Sequence, residues 1–389
     1  YKDVDPLFFW NRNVIQPFID AGQAGFVLPL LQGFVGQLEF AVELHPIKVD
    51  KDKKTGETLL EMSTMSFKEG ERPMSPGYPD SDEGESPKIS IDQERLAKIG
   101  ETRTYLMTLI SRRSVKRGGL RYLRRGVDGD GNTANSVETE QILSSPTWSN
   151  DSPAYSFLQI RGSIPLFFSQ SPYSFKPIPQ MQHSTETNFS AFKKHFGNLA
   201  ARYGALQVAT LVEKHGTEEQ VGEEYEKHMT RLNEEGGISG NKIGFEWFDF
   251  HAMCRGMKFE NVSILTDTLG PVLDGFSHSI EIKSKVTAKQ SGVLRTNCMD
   301  CLDRTNVVQS ACGRRALEIQ LKAEGIEMGA QKDQTTQWFN TLWADNGDAI
   351  SKQYASTAAL KGDFTRTRKR NYTGALTDMG LSISRFYSG

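Results

Sequence analysis

An α/β domain with a mixed, mainly parallel sheet flanked by helices is the fold that this 389-residue sequence predicts, on three observations. Strand-like runs alternate with helical ones through the second half of the chain, which favours a sheet covered by helices. One of those runs, Ala205 to Val212, is continuously apolar, as a parallel strand buried on both faces must be. The pattern closes on strand, tight loop and helix: Gly292-Val293-Leu294, then Arg295 to Asn306, then Val307 to Leu317 with helical composition. With 37% hydrophobic and 10% aromatic residues the chain can bury a sizeable core, as one large domain or two ordinary ones.

Taken in order, residues 1–45 open with Leu7, Phe8, Phe9 and Trp10, continue through a short helix over Asn11 to Asp20, and reach an apolar run, Phe26 to Leu31, broken by Pro29. Residues 46–97 change character: Lys48 to Lys54 is charged, and Arg72 to Ser90 is rich in Pro, Ser, Gly, Asp and Glu. Such a stretch buries too little apolar surface to offset its ordering entropy and reads as a largely disordered insertion. Ser75-Pro76 and Ser86-Pro87 read as solvated loop rather than as modification sites. A strand follows at Thr104 to Ile110, then a basic run of Arg112, Arg113, Lys116, Arg117, Arg121, Arg124 and Arg125. That run is either a solvated face or a cationic surface beside a site for anionic lipid headgroups. Asp128 to Asn132 begins like a calcium loop but carries Thr133 where glycine is needed and Thr139 where glutamate is needed, so it reads as a turn.

Strands are expected at Tyr155 to Ile160 and Ile164 to Phe168, and a solvent-facing acidic helix at Glu218 to Asn233. Lys242 to Phe250 reads as a strand, and Ala252 to Leu269 as a helix whose apolar face holds Met253, Met257, Val262 and Leu265. His251 ends its strand and reads as a hydrogen-bonded structural group more than a catalytic one. Gln337 to Tyr354 has a helical core pattern in Trp338, Phe339, Leu342, Trp343 and Ile350. Arg366, Arg368, Lys369 and Arg370 beside Tyr372 serve either contact with a membrane surface or solubility.

Composition excludes several functions. A net charge of -2 gives no global attraction to nucleic acid or to anionic lipid, so any attraction must be local. Four cysteines in so long a chain make no disulfide framework, and free-thiol chemistry implies a reducing compartment. No run of ~18 apolar residues is present to span a bilayer.

The chemistry concentrates in Arg295-Thr296-Asn297-Cys298-Met299-Asp300-Cys301-Leu302-Asp303-Arg304-Thr305-Asn306. A loop of this length can turn its backbone N–H groups inward as an anion nest at a helix N-terminus. The same field favours Cys298 as thiolate, the nucleophilic form. Arg304, six positions on, can offer a planar fork to two phosphoryl oxygens. Asp300 and Asp303 are the candidate proton donors to a leaving alkoxide, with a slight preference for Asp300. Asn297 is placed to orient the loop and Thr305 to cap the helix. Cys298-x-x-Cys301 also has the spacing of a redox pair or half a zinc site. Zinc lacks partners, since only Cys254 and Cys312 remain and no histidine follows Cys298. A redox pair would leave Asp300, Asp303 and Arg304 without a role, although Cys301 has the spacing of a resolving thiol. A structural cysteine fits poorly in a loop so rich in Asp, Asn and Arg. Cysteine-based phosphoryl transfer is the leading reading.

RTNCMDCLDRTN also resembles, along its whole length, the signature of the Sac-domain phosphoinositide phosphatases. FFWN at Phe8 to Asn11, SRRSVKRGGLRYLRRGVD at Ser111 to Asp128, FLQIRGSIPLFF at Phe157 to Phe168, WFDFH at Trp247 to His251 and DFTRT at Asp363 to Thr367 resemble the family as well. Among its branches the likeness is greatest to the integral-membrane phosphatases of the endoplasmic reticulum and Golgi. The resemblance implies the end of an N-terminal Sac subdomain at residues 1–45, an insertion at 46–97 and the catalytic domain at 98–389. It implies a Cys-x5-Arg phosphate-binding loop with protein-tyrosine-phosphatase-like architecture, Asn297 standing where those enzymes usually carry histidine. The expected activity is hydrolysis of phosphatidylinositol 4-phosphate, and also of the 3-phosphate and 3,5-bisphosphate, with no cofactor and no metal. Cys298, Arg304, Asp300 and Asp303 are the expected catalytic groups. Asn297, Met299, Cys301, Leu302, Thr305, Arg113, Lys116 and Arg121 are the expected substrate-binding ones. The expected partners are phosphoinositide lipids at a membrane surface, not nucleic acid. A start without methionine inside a family-like segment fits a soluble fragment of a protein held at the cytosolic face of those membranes. A non-catalytic phosphoinositide-binding module and a protein phosphatase with the same loop chemistry are the alternatives.

Overall fold

The computed structural model describes residues 2–44, 101–121, 125–171, 178–331, 336–360 and 381. The expectations for 46–97 and for the basic stretch at 363–370 lie outside the described residues.

The molecule is built on one large sheet of order β1-β2-β3-β4-β11-β7-β8, from β1 (Gly33–Glu43), β2 (Thr102–Arg113), β3 (Val137–Ser144), β4 (Ala154–Arg161), β7 (Ala205–Thr210), β8 (Gly244–Trp247) and β11 (Gly292–Asn297). Its centre is parallel: β4, β11, β7 and β8 run the same way, with Thr296 opposite Arg161 on one side and Ala209 on the other. The flank is an antiparallel meander, β1 to β4, extended by β9 (Ser279–Ile282) and β10 (Lys285–Ala288). The sheet is thus mixed, and its antiparallel share is larger than the alternation of strands and helices implied. β1 pairs with β2 along its whole length, so residues expected to form a junction add an edge strand to the sheet. A separate two-stranded ribbon joins β5 (Phe168–Ser169) to β6 (Gln180–Met181).

Helices cover both faces. On one lie α2 (Thr185–Tyr203) and α3 (Glu219–Glu234), packed over Ile160, Leu206, Val208 and Val293. α2 begins at Ser184, whose hydroxyl accepts from the Thr187 N–H, and ends at Gly204, where a φ of 80° turns the chain into β7. On the other face α5 (Val262–Phe276) and α6 (Asp303–Ala323) pack over Ala209, Leu211, Leu294 and Cys298. α7 (Gln337–Ala355) covers the meander through Phe339, Leu342 and Trp343. A short α1 (Arg12–Asp20) and α4 (Phe250–Met253) complete the set, α4 capped by Asp249 accepting from the Ala252 N–H at 2.8 Å.

Several expectations need correction. Ile164 to Phe168 is not a strand: Ile164 and Leu166 are buried, but the Leu166 N–H bonds back to the Ile164 carbonyl and the chain turns. The acidic helix α3 does not simply face solvent, because Val221, Tyr225, Met229 and Leu232 form a buried stripe beneath its charges. The helix foreseen over Ala252 to Leu269 is interrupted, since Gly256 at φ 70° breaks it before α5 begins. Asp128 to Asn132 is the expected turn, with Asp128 Oδ1 accepting from the N–H groups of Asp130 and Asn132.

Candidate active site

Parallel strands converge their carboxyl ends on one edge, and the loop of interest lies there. β11 is buried over all six residues and delivers Asn297 and Cys298 to that edge. The chain then turns through Met299 to Leu302 and enters α6 at Asp303. Met299 anchors the loop in the cluster under α2 and α3, and Leu302 in another with Val137, Ile350 and Tyr354. Both side chains are therefore loop anchors, which leaves only their backbone for a ligand.

Cys298 is 3% exposed, and its Sγ accepts from the Cys301 N–H at 3.1 Å and the Thr305 hydroxyl at 3.4 Å. Its thiol is lowered from the usual 9 to about 6. Hydrogen bonding from Cys301 is the largest cause, opposed by burial and then aided by the Arg304 charge and Thr305, while Asp300 works against it. Cys301 goes the other way: burial and the neighbouring Cys298 raise it well above the usual range. The pair thus divides into one thiolate and one thiol. The Cys301 Sγ donates to the Gly162 carbonyl at 2.8 Å, and its φ of 54° puts it in the left-handed region that the tight loop requires. Asn135 holds the same turn through its Nδ2 on the Asp300 carbonyl at 3.0 Å.

Thr305 does not cap α6. The cap position is Leu302, no side chain serves it, and the Thr305 hydroxyl is spent on Cys298 instead. Asn297 is fully buried, donating to the Thr210 hydroxyl at 2.9 Å and accepting from Arg295 at 3.2 Å, so it fixes the strand end beneath the loop.

Arg304 turns across the edge to β7. Its Nη1 and Nη2 donate to the two Glu218 oxygens at 2.7 and 2.6 Å, and Nη1 also donates to the Leu211 carbonyl at 3.1 Å. A guanidinium has five N–H groups, so this clamp leaves the Nε–Nη2 edge, the side-on fork that matches two phosphoryl oxygens. Burial lowers the Arg304 pKa, and Glu218 more than restores it. Asp300 is ion-paired to Arg121 at 3.1 Å and to Arg125, and Asp303 accepts from the Leu360 N–H.

The basic run proves to be mostly internal. Arg113, expected at the substrate, is 4% exposed. It lies between the Trp10 and Tyr354 rings and donates to the Gly119 and Gln353 carbonyls, so it packs the protein together. Arg112 pairs with Glu138 and Glu140. Lys116 is not brought to the loop. It is exposed and lines a cavity of about 510 Å³ with Phe8, His195 and Arg202, to which no residue of 297–305 contributes. Arg121 does reach the loop, with Arg125. His251 is largely exposed and lies 3.8 Å from Glu213. Glu218 and Asn135 were missed, because nothing in their local sequence marks a partner so far along the chain. Among the described residues no group of three His, Cys, Asp or Glu side chains is placed to hold a metal ion, and no helix is long and apolar enough to cross a membrane.

Residues 1–255 match the SacI homology domain. This chain belongs to the SacI homology family. The Sac chain is 37% identical over 392 aligned positions to phosphatidylinositide phosphatase SAC2 of Danio rerio, covering 100% of itself and 31% of that protein. It is 40% identical over 285 positions to phosphatidylinositol-3-phosphatase SAC1-B of Danio rerio, covering 72% of itself and 47% of the relative. Phosphoinositide phosphatase SAC6 of Arabidopsis thaliana is 38% identical over 394 positions, with 100% and 54% covered. The Sac chain thus spans a third to about half the length of these relatives.

Beneath the Sac loop a second arginine, Arg295, is held by His195, Tyr225, Asn297 and the Ser163 carbonyl. Arg295 Nε can only donate, so His195 Nε2 accepts at 3.0 Å, and its Nδ1 carries the proton given to the Gly131 carbonyl at 2.8 Å. His195 must therefore be neutral. Burial, then the Arg295 charge, lowers it well below 6.5. The unfolded chain takes up a proton below that value and the folded one does not, so stability falls with pH by about 1.4 kcal/mol per unit. The urea midpoint is expected to drop between pH 6.5 and 5, and to drop less in His195→Gln. Equal slopes in both proteins would show that His195 is not the group responsible.

Proposed function

We propose that this chain is the catalytic part of a phosphoinositide phosphatase working through a cysteinyl-phosphate. The single observation that carries this reading is Cys298, buried at the N-terminus of α6 with its Sγ accepting two hydrogen bonds and its pKa near 6. Cys298 thiolate attacks the phosphorus of an inositol-ring monophosphate. An S–P bond forms as the P–O bond to the ring breaks, and the alkoxide takes a proton from a loop carboxyl. Water then attacks the phosphocysteine, releasing inorganic phosphate and restoring the thiolate. The free Nε–Nη2 edge of Arg304 and the Cys301 N–H stabilise the equatorial oxygens, in a loop similar to that of protein tyrosine phosphatases. Asp300 and Asp303 are the two candidate acids. An incoming phosphate competes with Asp300 for Arg121 and Arg125, and the dianion favours a protonated carboxyl beside it, which supports Asp300 in that role.

The relatives are named as phosphatidylinositide, phosphatidylinositol-3- and phosphoinositide phosphatases, which supports a phosphoinositide as the lipid turned over. The resemblance of the loop motif carries the proposal on to phosphatidylinositol 4-phosphate, with the 3-phosphate and 3,5-bisphosphate. The resemblance extends the proposal to the cytosolic face of endoplasmic reticulum and Golgi membranes, and to residues 98–389 as the catalytic domain following an N-terminal subdomain. The test is phosphate release from short-chain phosphatidylinositol 4-phosphate in EDTA, beside a phosphotyrosine peptide. Faster lipid turnover supports the reading. Faster peptide turnover would favour a protein phosphatase, and binding without release a lipid-sensing module.

A further inference from the structure

Among the described residues, buried arginines around this loop have partners in the protein, with one exception. Arg304 is clamped by Glu218, Arg121 and Arg125 hold Asp300, Arg295 has its four acceptors, and Arg113 donates to two carbonyls. Arg161 is 1% exposed, and Nε, Nη1 and Nη2 are all buried without a hydrogen-bond partner. A guanidinium taken out of water with nothing in return is among the most costly groups a fold can carry. Its position indicates what the charge is for. Arg161 ends β4 in register with Thr296, two residues before Cys298, and parallel neighbours send their side chains to the same face. The next residue, Gly162, accepts the Cys301 Sγ–H, so β4 and the loop touch at this point. The Thr296 hydroxyl, also buried and unpartnered, lies beside it.

We propose that Arg161 is a positioning residue for the reaction, a buried counter-charge beneath the loop that holds Cys298 as thiolate and then balances the phosphocysteine. This rests on the cysteinyl-phosphate reading above. The groups facing Cys298 are Arg304 and Thr305 from α6, Asp300 and Cys301 from the loop, and Arg161 from β4. Of these, Arg304 and Asp300 are already paired, which leaves Arg161 as the cation without a counter-ion until the thiol ionises. Burial pushes the Arg161 pKa down to about 10, and the two thiols pull it back up, so it stays charged at neutral pH.

The test reads Cys298 itself: its iodoacetamide alkylation rate against pH, followed by mass spectrometry of the Cys298 peptide. The wild-type inflection is expected near 6. Arg161→Met should raise it by about one unit or more, slowing alkylation at pH 6.5 about tenfold, and Arg161→Lys should stay close to wild type. A merely structural arginine would instead lower thermal stability and leave the inflection in place. With Arg161 as an unpaired charge, Arg161→Met should melt at or above wild type at pH 5, where the thiol is protonated in both. Should Arg161→Met not fold, Arg161→Gln against Arg161→Lys makes the same comparison. An unmoved inflection in a folded, charge-free variant overturns the role of Arg161 alone. A wild type with no inflection below pH 8 overturns the thiolate mechanism instead.

Discussion

Cys298→Ser is expected to remove phosphate release from phosphatidylinositol 4-phosphate almost entirely, by on the order of 10⁴-fold or more. The reason lies in the site. The Cys301 N–H and the Thr305 hydroxyl stabilise a negative sulfur at this position, and a serine hydroxyl, with its far higher pKa, gives no comparable anion. Van der Waals contacts change little, since serine is smaller by one row of the periodic table and the loop is anchored by Met299 and Leu302 rather than by the thiol. The variant should therefore melt near wild type and still bind short-chain lipid. Release that persists in Cys298→Ser, with EDTA present, would sink the cysteinyl-phosphate and require another nucleophile.

The second large effect is expected at Arg304. Arg304→Lys keeps a positive charge but has neither the side-on fork nor a planar group for Glu218 to clamp, and kcat should fall by about 10³-fold. KM should change far less, because the interaction strengthens as charge develops on the transferring phosphoryl group. Glu218 tests the clamp separately. Glu218→Gln retains the shape while removing the charge that orients Arg304, and a loss of roughly tenfold in kcat is expected. Steady-state kinetics on the three proteins decide: a Glu218→Gln enzyme indistinguishable from wild type would show that Arg304 needs no orienting partner.

The placement of Cys298 and Arg304 was legible in the chain because it is local: an apolar strand, a short polar loop and a helix fix where the residues between them must lie. Thr305 was placed in the right turn and given the wrong bond, since spacing alone does not tell a hydroxyl that caps a helix from one that turns back to a thiol seven residues earlier. Arg113 misled for a different reason. In a run of arginines each looks solvated, and only the fold shows that one of them lies between Trp10 and Tyr354. Glu218 and Arg161 were out of reach altogether. Arg161 meets the loop from the neighbouring strand β4 and Glu218 from the start of α3, and such long-range meetings depend on crossover connections that carry no local signature. The acidity that made α3 look like a surface helix concealed that the residue at its start turns inward.

His195, neutral by the geometry of its two hydrogen bonds, also bears on where such a domain can work. Its ring links the turn at Gly131 to the arginine beneath the loop, and protonation breaks that link by setting two cations face to face. In a near-neutral cytosol the proton stays away. In the lumen of an acidified vesicle, at roughly pH 5, the same ring would cost the fold about 2 kcal/mol, a large share of what marginally stable domains hold in reserve. The same acidity would leave only about a tenth of Cys298 as thiolate, the form that the proposed mechanism needs. Fold stability and the thiolate population thus weaken together on the acidic side, and on the proposed mechanism the domain is expected to work best near neutral pH.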